Sequence, residues 1–208
     1  MPEEILVVDR EVLFDGKKRY FQGFMAADKI DFVPTIKEKS YFILRKTTSR
    51  EQKIPAEEDE SKKQIIPYIL FRHGKKYFTY RRLAKSGEER LRDNFSIGIG
   101  GHINPIDGSG DIIADGMRRE FLEEVDYPHD FDYKVLGFIN DDSNSVGRVH
   151  FGVVFLIEAE GSDIRVKETD VLEGKMMTLK GIAGIRDSLE NWSKIVFDYI
   201  SSTTKTKG

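Results

Sequence analysis

Hydrophobic residues enter this chain in short β-rich runs: ILVV at 5–8, EVLF at 11–14 and, past the turn dipeptide Asp15-Gly16, KKRYFQGF at 17–24. β-Branched and aromatic residues bounded by turn residues predict strands. Tyr41 to Leu44 predicts another. Residues 47–63 invert the pattern: they are charged, nearly free of large apolar side chains, and carry Pro55. That composition predicts a solvated loop. The segments Ile65–Phe71 and Lys76–Tyr80, joined at His73-Gly74, predict a β-hairpin. Phe95 to Ile99 predicts a short strand that ends in Gly100-Gly101. The period then becomes helical over 111–125. Tyr133 to Ile139 and Val149 to Ile157 return to strand, linked by the turn-rich NDDSNSVG. Ile185, Leu189, Trp192, Ile195, Val196 and Tyr199 recur at helical spacing and predict a helix over 182–200. No repeat is visible. Strands mixed with two or three helices predict an α/β or α+β layered domain.

Composition narrows the class. The chain has 208 residues, 39% hydrophobic and 33% charged, with a net charge of -3 and no cysteine. This is globular and large enough to bury a core. The charge does not steer it toward DNA or an anionic membrane. Without cysteine there are no disulfides, zinc–thiolate sites or thiol nucleophiles. The apolar run Ile5–Val8 is too short for a signal segment, and nothing approaches the ~18 apolar residues of a membrane helix. The expectation is a soluble, cytoplasmic protein. Its β-rich beginning leaves room for pairing with a second chain as a homodimer.

The helix over 111–125 carries the chemistry. At 100° per residue, Glu120, Glu123 and Glu124 fall within about 100° of arc. Ala114, Met117, Phe121 and Val125 gather on the adjoining flank. Arg119 stands four residues before Glu123, within ion-pair reach. Glu120 and Glu124 are like charges one turn apart, unfavourable by about a few tenths of a kcal/mol. A solvated acidic face is one reading. A set of hard oxygen ligands for Mg²⁺ or Mn²⁺ is the other. The strand SIGI and Gly100-Gly101 lie just upstream, and glycines admit close approach of backbone to a ligand. A glycine loop feeding an acidic helix suits a metal-bridged diphosphate.

These residues resemble the Nudix box, G-x5-E-x7-R-E-U-x-E-E-x-G-U, with U bulky and apolar. Arg119-Glu120-Phe121-Leu122-Glu123-Glu124 reproduces its R-E-U-x-E-E core. Asp111 lies eight residues before Arg119, where the box has its first glutamate, and Gly101 is the opening glycine. The chain departs from the box in three ways: nine residues rather than five separate Gly101 from Asp111, that acid is Asp, and Asp126 replaces the late glycine. The resemblance implies a Nudix-type α/β/α sandwich with a mixed β-sheet over 36–202. Residues 1–35 would then be a β-rich N-terminal extension and 203–208 a flexible tail.

It also implies roles. Glu120 and Glu124 are metal ligands, Glu123 a further ligand or bridge, and the Gly100 carbonyl completes the set around Mg²⁺ (or Mn²⁺). Glu120 or Glu123, or a glutamate outside the box, acts on the attacking water. Arg119 fixes a glutamate rather than touching substrate. Family members often supply an extra catalytic glutamate from the later region that here holds Glu158, Glu160, Glu168 and Glu173, and Glu173 is the choice. The implied activity is Mg²⁺-dependent hydrolysis of the diphosphate linkage in a nucleoside diphosphate joined to another moiety. The alternative is a catalytically silent Nudix-like nucleotide-binding module or sensor. A Nudix-type isomerase resembles chemistry that uses a cysteine, which this chain lacks. An RNA-decapping role has no basic stripe behind it.

Other residues stay open between chemistry and structure. His102 follows the glycine pair and either approaches phosphate or is a loop histidine without a role. His150, within VHFGVVF, reads as ring-packed. Arg81-Arg82 with Lys85 form a wet strand end or hold a phosphate, with Arg82 the substrate candidate. Tyr77, Phe78 and Tyr80 read as sheet and core rather than a base-stacking platform. Gly108-Ser109-Gly110 lacks the ending of a phosphate-binding P-loop.

Overall fold

The structure is a computed structural model that describes residues 2–83, 94–107 and 110–205. Lys85, Gly108 and Ser109 lie outside the described residues. The strands are β1 (Glu4–Asp9), β2 (Gly23–Ala26), β3 (Tyr41–Leu44), β4 (Lys62–His73), β5 (Lys76–Arg82), β6 (Phe95–Ser96), β7 (Ile99–Gly100), β8 (Val125–Asp126), β9 (Tyr133–Asn140), β10 (His150–Glu158), β11 (Arg165–Val166) and β12 (Leu172–Thr178). The helices are α1 (Arg10–Leu13), α2 (Val33–Lys39), α3 (Ile112–Glu124), α4 (Ser145–Val149), α5 (Leu179–Ala183) and α6 (Asn191–Lys205). Among the described residues no helix is long and apolar enough to cross a membrane.

Two compact units form from alternating stretches of chain: residues 1–68, 100–120 and 135–154 in one, and 69–99, 121–134 and 155–208 in the other.

In the first unit β1 lies between β3 and β4, antiparallel to both, with Ile5 opposite Ile43 and Val7 opposite Gln64. The strand order continues β4-β10-β9-β2, and β2 is antiparallel to β9. Lys63 Nζ donates to the His150 carbonyl, and farther along the same strands Ala159 N–H donates to the Arg72 carbonyl. The equal offset makes β4 and β10 parallel, so the sheet is mixed. An aromatic cluster binds the early residues into this unit. Phe14, Phe21 and Phe32 meet Phe151, and Phe32 also meets Phe138, with ring centroids 5.0–6.0 Å apart. Arg19 stacks over Phe32 at 4.4 Å.

Several expectations change here. EVLF forms most of α1 rather than a strand. Its local turn closes through Gly16 N–H to the Glu11 carbonyl, and Asp15 and Gly16 take positive φ of 47° and 67°. The charged stretch 47–63 is pinned rather than fully solvated. Ala56 is buried with Ile5 and Val7. Gln52 bonds both the N–H and the carbonyl of Leu44.

In the second unit the order is β12-β5-β4, with β6 also on β5. The β4–β5 hairpin turns at Gly74, φ 56°. Strand β8 pairs with β11, Val125 opposite Val166. The predicted C-terminal helix starts later than its periodicity suggests. Ile182 belongs to α5, and α6 begins at Asn191. Ser193 explains part of that start: its hydroxyl accepts from Ile97 N–H at 3.0 Å.

Candidate active site

At the glycine end of the site, β7 delivers Gly100 and Gly101. A Cβ on Gly100 would run into the Pro67 carbonyl, and one on Gly101 would overlap the Glu120 carboxylate. Only glycine lets the backbone come this close. Glu120 therefore packs inward from α3 and is 8% exposed. The sequence placed all three acids on one presented flank, and for Glu120 the structure differs.

Arg119 is the hub. Its guanidinium pairs with Glu120 at 2.9 Å and with both oxygens of Asp107, at 2.5 and 3.0 Å. It also donates to the His102 carbonyl at 2.7 Å and to Asn104 Oδ1 at 3.1 Å. Asp107 accepts in addition from Asn104 N–H at 2.7 Å. One arginine thus ties the loop after Gly101 to the helix and holds the Glu120 carboxylate.

The acid in that network is not the one the sequence reading selected. Asp111 ends in an exposed pair with Lys37, 2.6 Å, and accepts from Ala114 N–H as α3 begins. Asp107 is the buried partner of Arg119. The signal was present in the sequence: five residues separate Gly101 from Asp107, the spacing of the box. The four surplus residues fall after this acid, where eleven rather than seven precede Arg119. Anchoring the register at Arg119 and counting backward selects Asp111, which lies outside the Arg119 network.

Within the second unit, Glu124 is half-buried. Burial, then the Glu168 carboxylate, pushes it above the usual carboxylate range; Arg82 opposes the shift and Glu123 adds to it. Glu168 arrives there because β11 pairs with β8 and Lys167 N–H donates to the Glu124 carbonyl at 3.0 Å. Glu123 is exposed. Arg82 is held by Glu190 at 3.0 Å. Tyr80 donates to the Gly98 carbonyl, and burial with the nearby Glu190 pushes its phenol up to about 12. Tyr77, Phe78 and Tyr80 are all buried, as core residues. Glu173 sits opposite Arg81 on β12 and pairs with it at 3.0 Å, with side chains 60% and 38% exposed. Of the later glutamates it is Glu168, not Glu173, that acts on Glu124.

His102 is no exposed loop residue. Its Nε2 lies 2.9 Å from Gln64 Oε1 and its ring 5.6 Å from that of His150. Burial, with Arg45, His150 and Lys46, pushes it down to about 3, so it is neutral at pH 7. Among the described residues, no three His, Asp or Glu side chains are gathered to hold a metal ion together.

Known proteins resemble this chain over nearly its whole length. No protein-family model matches the chain. Protein YmaB of Bacillus subtilis (strain 168) is 34% identical over 209 residues, spanning 96% of this chain and 98% of that protein. The crystal structure of Tm1382, itself a candidate Nudix hydrolase, is 31% identical and superposes with a TM-score of 0.75 over 95% of this chain and 98% of that one. DR0079 from Deinococcus radiodurans, 16% identical, shares the fold with a TM-score of 0.53 over 76% of this chain and 90% of its own. The chain belongs to the Nudix hydrolase family, as its box core implied.

Proposed function

We propose that the protein is a Mg²⁺-dependent pyrophosphohydrolase acting on a nucleoside diphosphate linked to another moiety. The observation that carries this is Glu124: a half-buried carboxylate crowded by Glu168 and Glu123, on the helix that also bears Glu120. A divalent cation would relieve that repulsion, and the donor chemistry fits one. Glu120, Glu123, Glu124 and the Gly100 carbonyl are hard oxygen ligands, suited to Mg²⁺ or Mn²⁺. Bound there, the ion would stabilise charge on the phosphoryl oxygens. Arg119 positions Glu120, and Asp107 positions Arg119. Arg82 is a phosphate contact that Glu190 holds in place. Glu168 takes the part first given to Glu173, orienting the attacking water.

One observation favours a second reading, a nucleotide-binding module without turnover. Glu120 is tied to Arg119, and no three-carboxylate group is assembled among the described residues. The deciding experiment incubates the protein with Mg²⁺ or Mn²⁺ and dinucleotides, nucleotide sugars, diadenosine polyphosphates and nucleoside triphosphates. Metal-dependent cleavage supports the hydrolase. No cleavage, with a nucleotide still raising the melting temperature, supports the module.

On a cleaved substrate, Glu168→Gln is expected to lower kcat at least about tenfold, within the usual contribution of a positioned base. Glu173→Ala is expected to leave it unchanged. The reverse ranking in steady-state assays would restore Glu173. Gly101→Ala forces the Glu120 carboxylate aside. It is expected to weaken Mg²⁺ binding in calorimetry while the circular dichroism spectrum stays that of the wild type.

A further inference from the structure

Strand β1 reaches the loop after Gly101 directly. Strand β4 pairs with β1 only at Val7, Val8 and Asp9. Ahead of Val7, residues 103 and 104 take that edge instead. Leu6 N–H donates to the Ile103 carbonyl at 2.9 Å, and Asn104 Nδ2 donates to the Glu4 carbonyl at 2.8 Å. The oxygen of the same amide, Asn104 Oδ1, accepts from Arg119 at 3.1 Å. A guanidinium only donates and a carbonyl only accepts, so these two neighbours fix which way the amide points. Joining them takes one acceptor and one donor on the same carbon, which Asn104 supplies. Its backbone is tied as well: the N–H donates to the Asp107 carboxylate at 2.7 Å, and the carbonyl accepts from Asp107 N–H at 3.0 Å. The loop also sits close on α3. A Cβ at Gly116 would come within 2.8 Å of the Ile103 side chain and 3.3 Å of the Asp107 carboxylate.

We infer that Asn104 is a positioning residue: it sets the Arg119 guanidinium, and through it the Glu120 carboxylate, against strand β1. The β-rich beginning of the chain then belongs to the support of the site. Arg119 carries the link onward because the same guanidinium pairs with Glu120. An arginine side chain has much rotamer freedom to lose, and an acceptor of fixed place removes part of it. Strand β1 is a firm anchor, since Ile5 to Val8 are buried and β3 holds its other edge. The consequence for turnover rests on the pyrophosphohydrolase reading; the link itself rests on the hydrogen bonds.

Two measurements on the full-length protein read the link with no substrate or metal present. The first is hydrogen exchange at the Leu6 amide, followed by NMR. Breaking the amide bridge loosens the loop from β1, so Asn104→Ala and Asn104→Asp should each speed this exchange about tenfold. Amides that β1 gives to β3 should keep the wild-type rate. The second is rotation of the Arg119 guanidinium about its Nε–Cζ bond, in ¹⁵N-arginine-labelled protein, assigned by the signal lost in Arg119→Lys. Rotation has to break the hydrogen bonds there, so it should be about tenfold faster in Asn104→Ala. It should not be faster in Asn104→Asp, which keeps one oxygen for Arg119 and sets the other against the Glu4 carbonyl. On a cleaved substrate, both variants should lower kcat about tenfold and leave KM within about twofold. A wild-type rate at Leu6 in either variant, or unchanged guanidinium rotation in Asn104→Ala, overturns the inference. So does equal loss of protection along all of β1, which is a general loss of stability, or a raised KM at unchanged kcat, which makes Asn104 a substrate contact. A protein that hydrolyses nothing fails the pyrophosphohydrolase reading alone, and exchange and rotation still decide the link.

Discussion

Glu124→Gln is expected to lose Mg²⁺-dependent hydrolysis by about a hundredfold or more and, in the same protein, to gain stability when metal is absent. The two effects have one origin. A metal ligand contributes several kcal/mol to phosphoryl charge stabilisation, and each ~1.4 kcal/mol is tenfold in rate. Yet in the absence of metal the Glu124 carboxylate is a liability: burial and Glu168 push its proton affinity up. A carboxyl group with a raised folded pKa favours the folded state below its unfolded pKa. That contribution is lost as pH rises through the folded value. The glutamine variant should therefore match the wild type in acid and exceed it near neutrality. Arg82, the cation opposing the shift, keeps Glu190 as its partner when Glu124 is neutralised. Urea titrations with a chelator, at pH values on either side of the carboxylate range, read the stability arm. Steady-state assays with Mg²⁺ read the other. Full turnover in the variant removes Glu124 from the ligand set. A variant less stable than wild type at neutral pH contradicts the crowding argument.

The sequence made the helix legible because its signal is local. Met117, Phe121 and Val125 repeat on one flank and are buried as that spacing requires. The β4–β5 hairpin was equally visible, since Gly74 supplies the positive φ its turn needs. Illegible features were those set by distant partners. EVLF has strand composition, but Gly16 closes a helical turn onto Glu11 instead. Ala56 looks like any residue of a charged loop until Ile5 and Val7 cover it. Leu172–Thr178 shows little strand pattern, and what makes it β12 is its long antiparallel register with β5. Glu168 and Glu173 are indistinguishable in sequence. The β8–β11 pairing carries the first to Glu124, while β12 turns the second toward Arg81. The hydrogen-bond partner of the His102 ring is Gln64, which lies 38 residues away.

The second large effect separates Asp107 from Asp111. Asp107→Asn is expected to destabilise the protein by about 3 kcal/mol, the lower end of the cost of breaking a buried ion pair from one side. Asp107 is 3% exposed, and its two oxygens serve Arg119 Nε, a second guanidinium nitrogen and Asn104 N–H. Asparagine keeps the shape but turns an N–H₂ toward a guanidinium, leaving donors facing donors. Asp111→Asn, by contrast, removes one member of a pair whose side chains are 44% and 43% exposed, worth about 0–1 kcal/mol. It also keeps an oxygen for Ala114 N–H. Urea denaturation of the two variants side by side makes the comparison at constant shape. Turnover adds a readout that mere destabilisation would not give. Arg119 freed from Asp107 still holds Glu120 at its other nitrogen, so the carboxylate is pulled as the guanidinium shifts. Asp107→Asn should then lower kcat more than it raises KM at temperatures where it is fully folded. If Asp111→Asn proves the costlier change, the box acid is the one that counting backward from Arg119 selects, and Asp107 serves only its own loop.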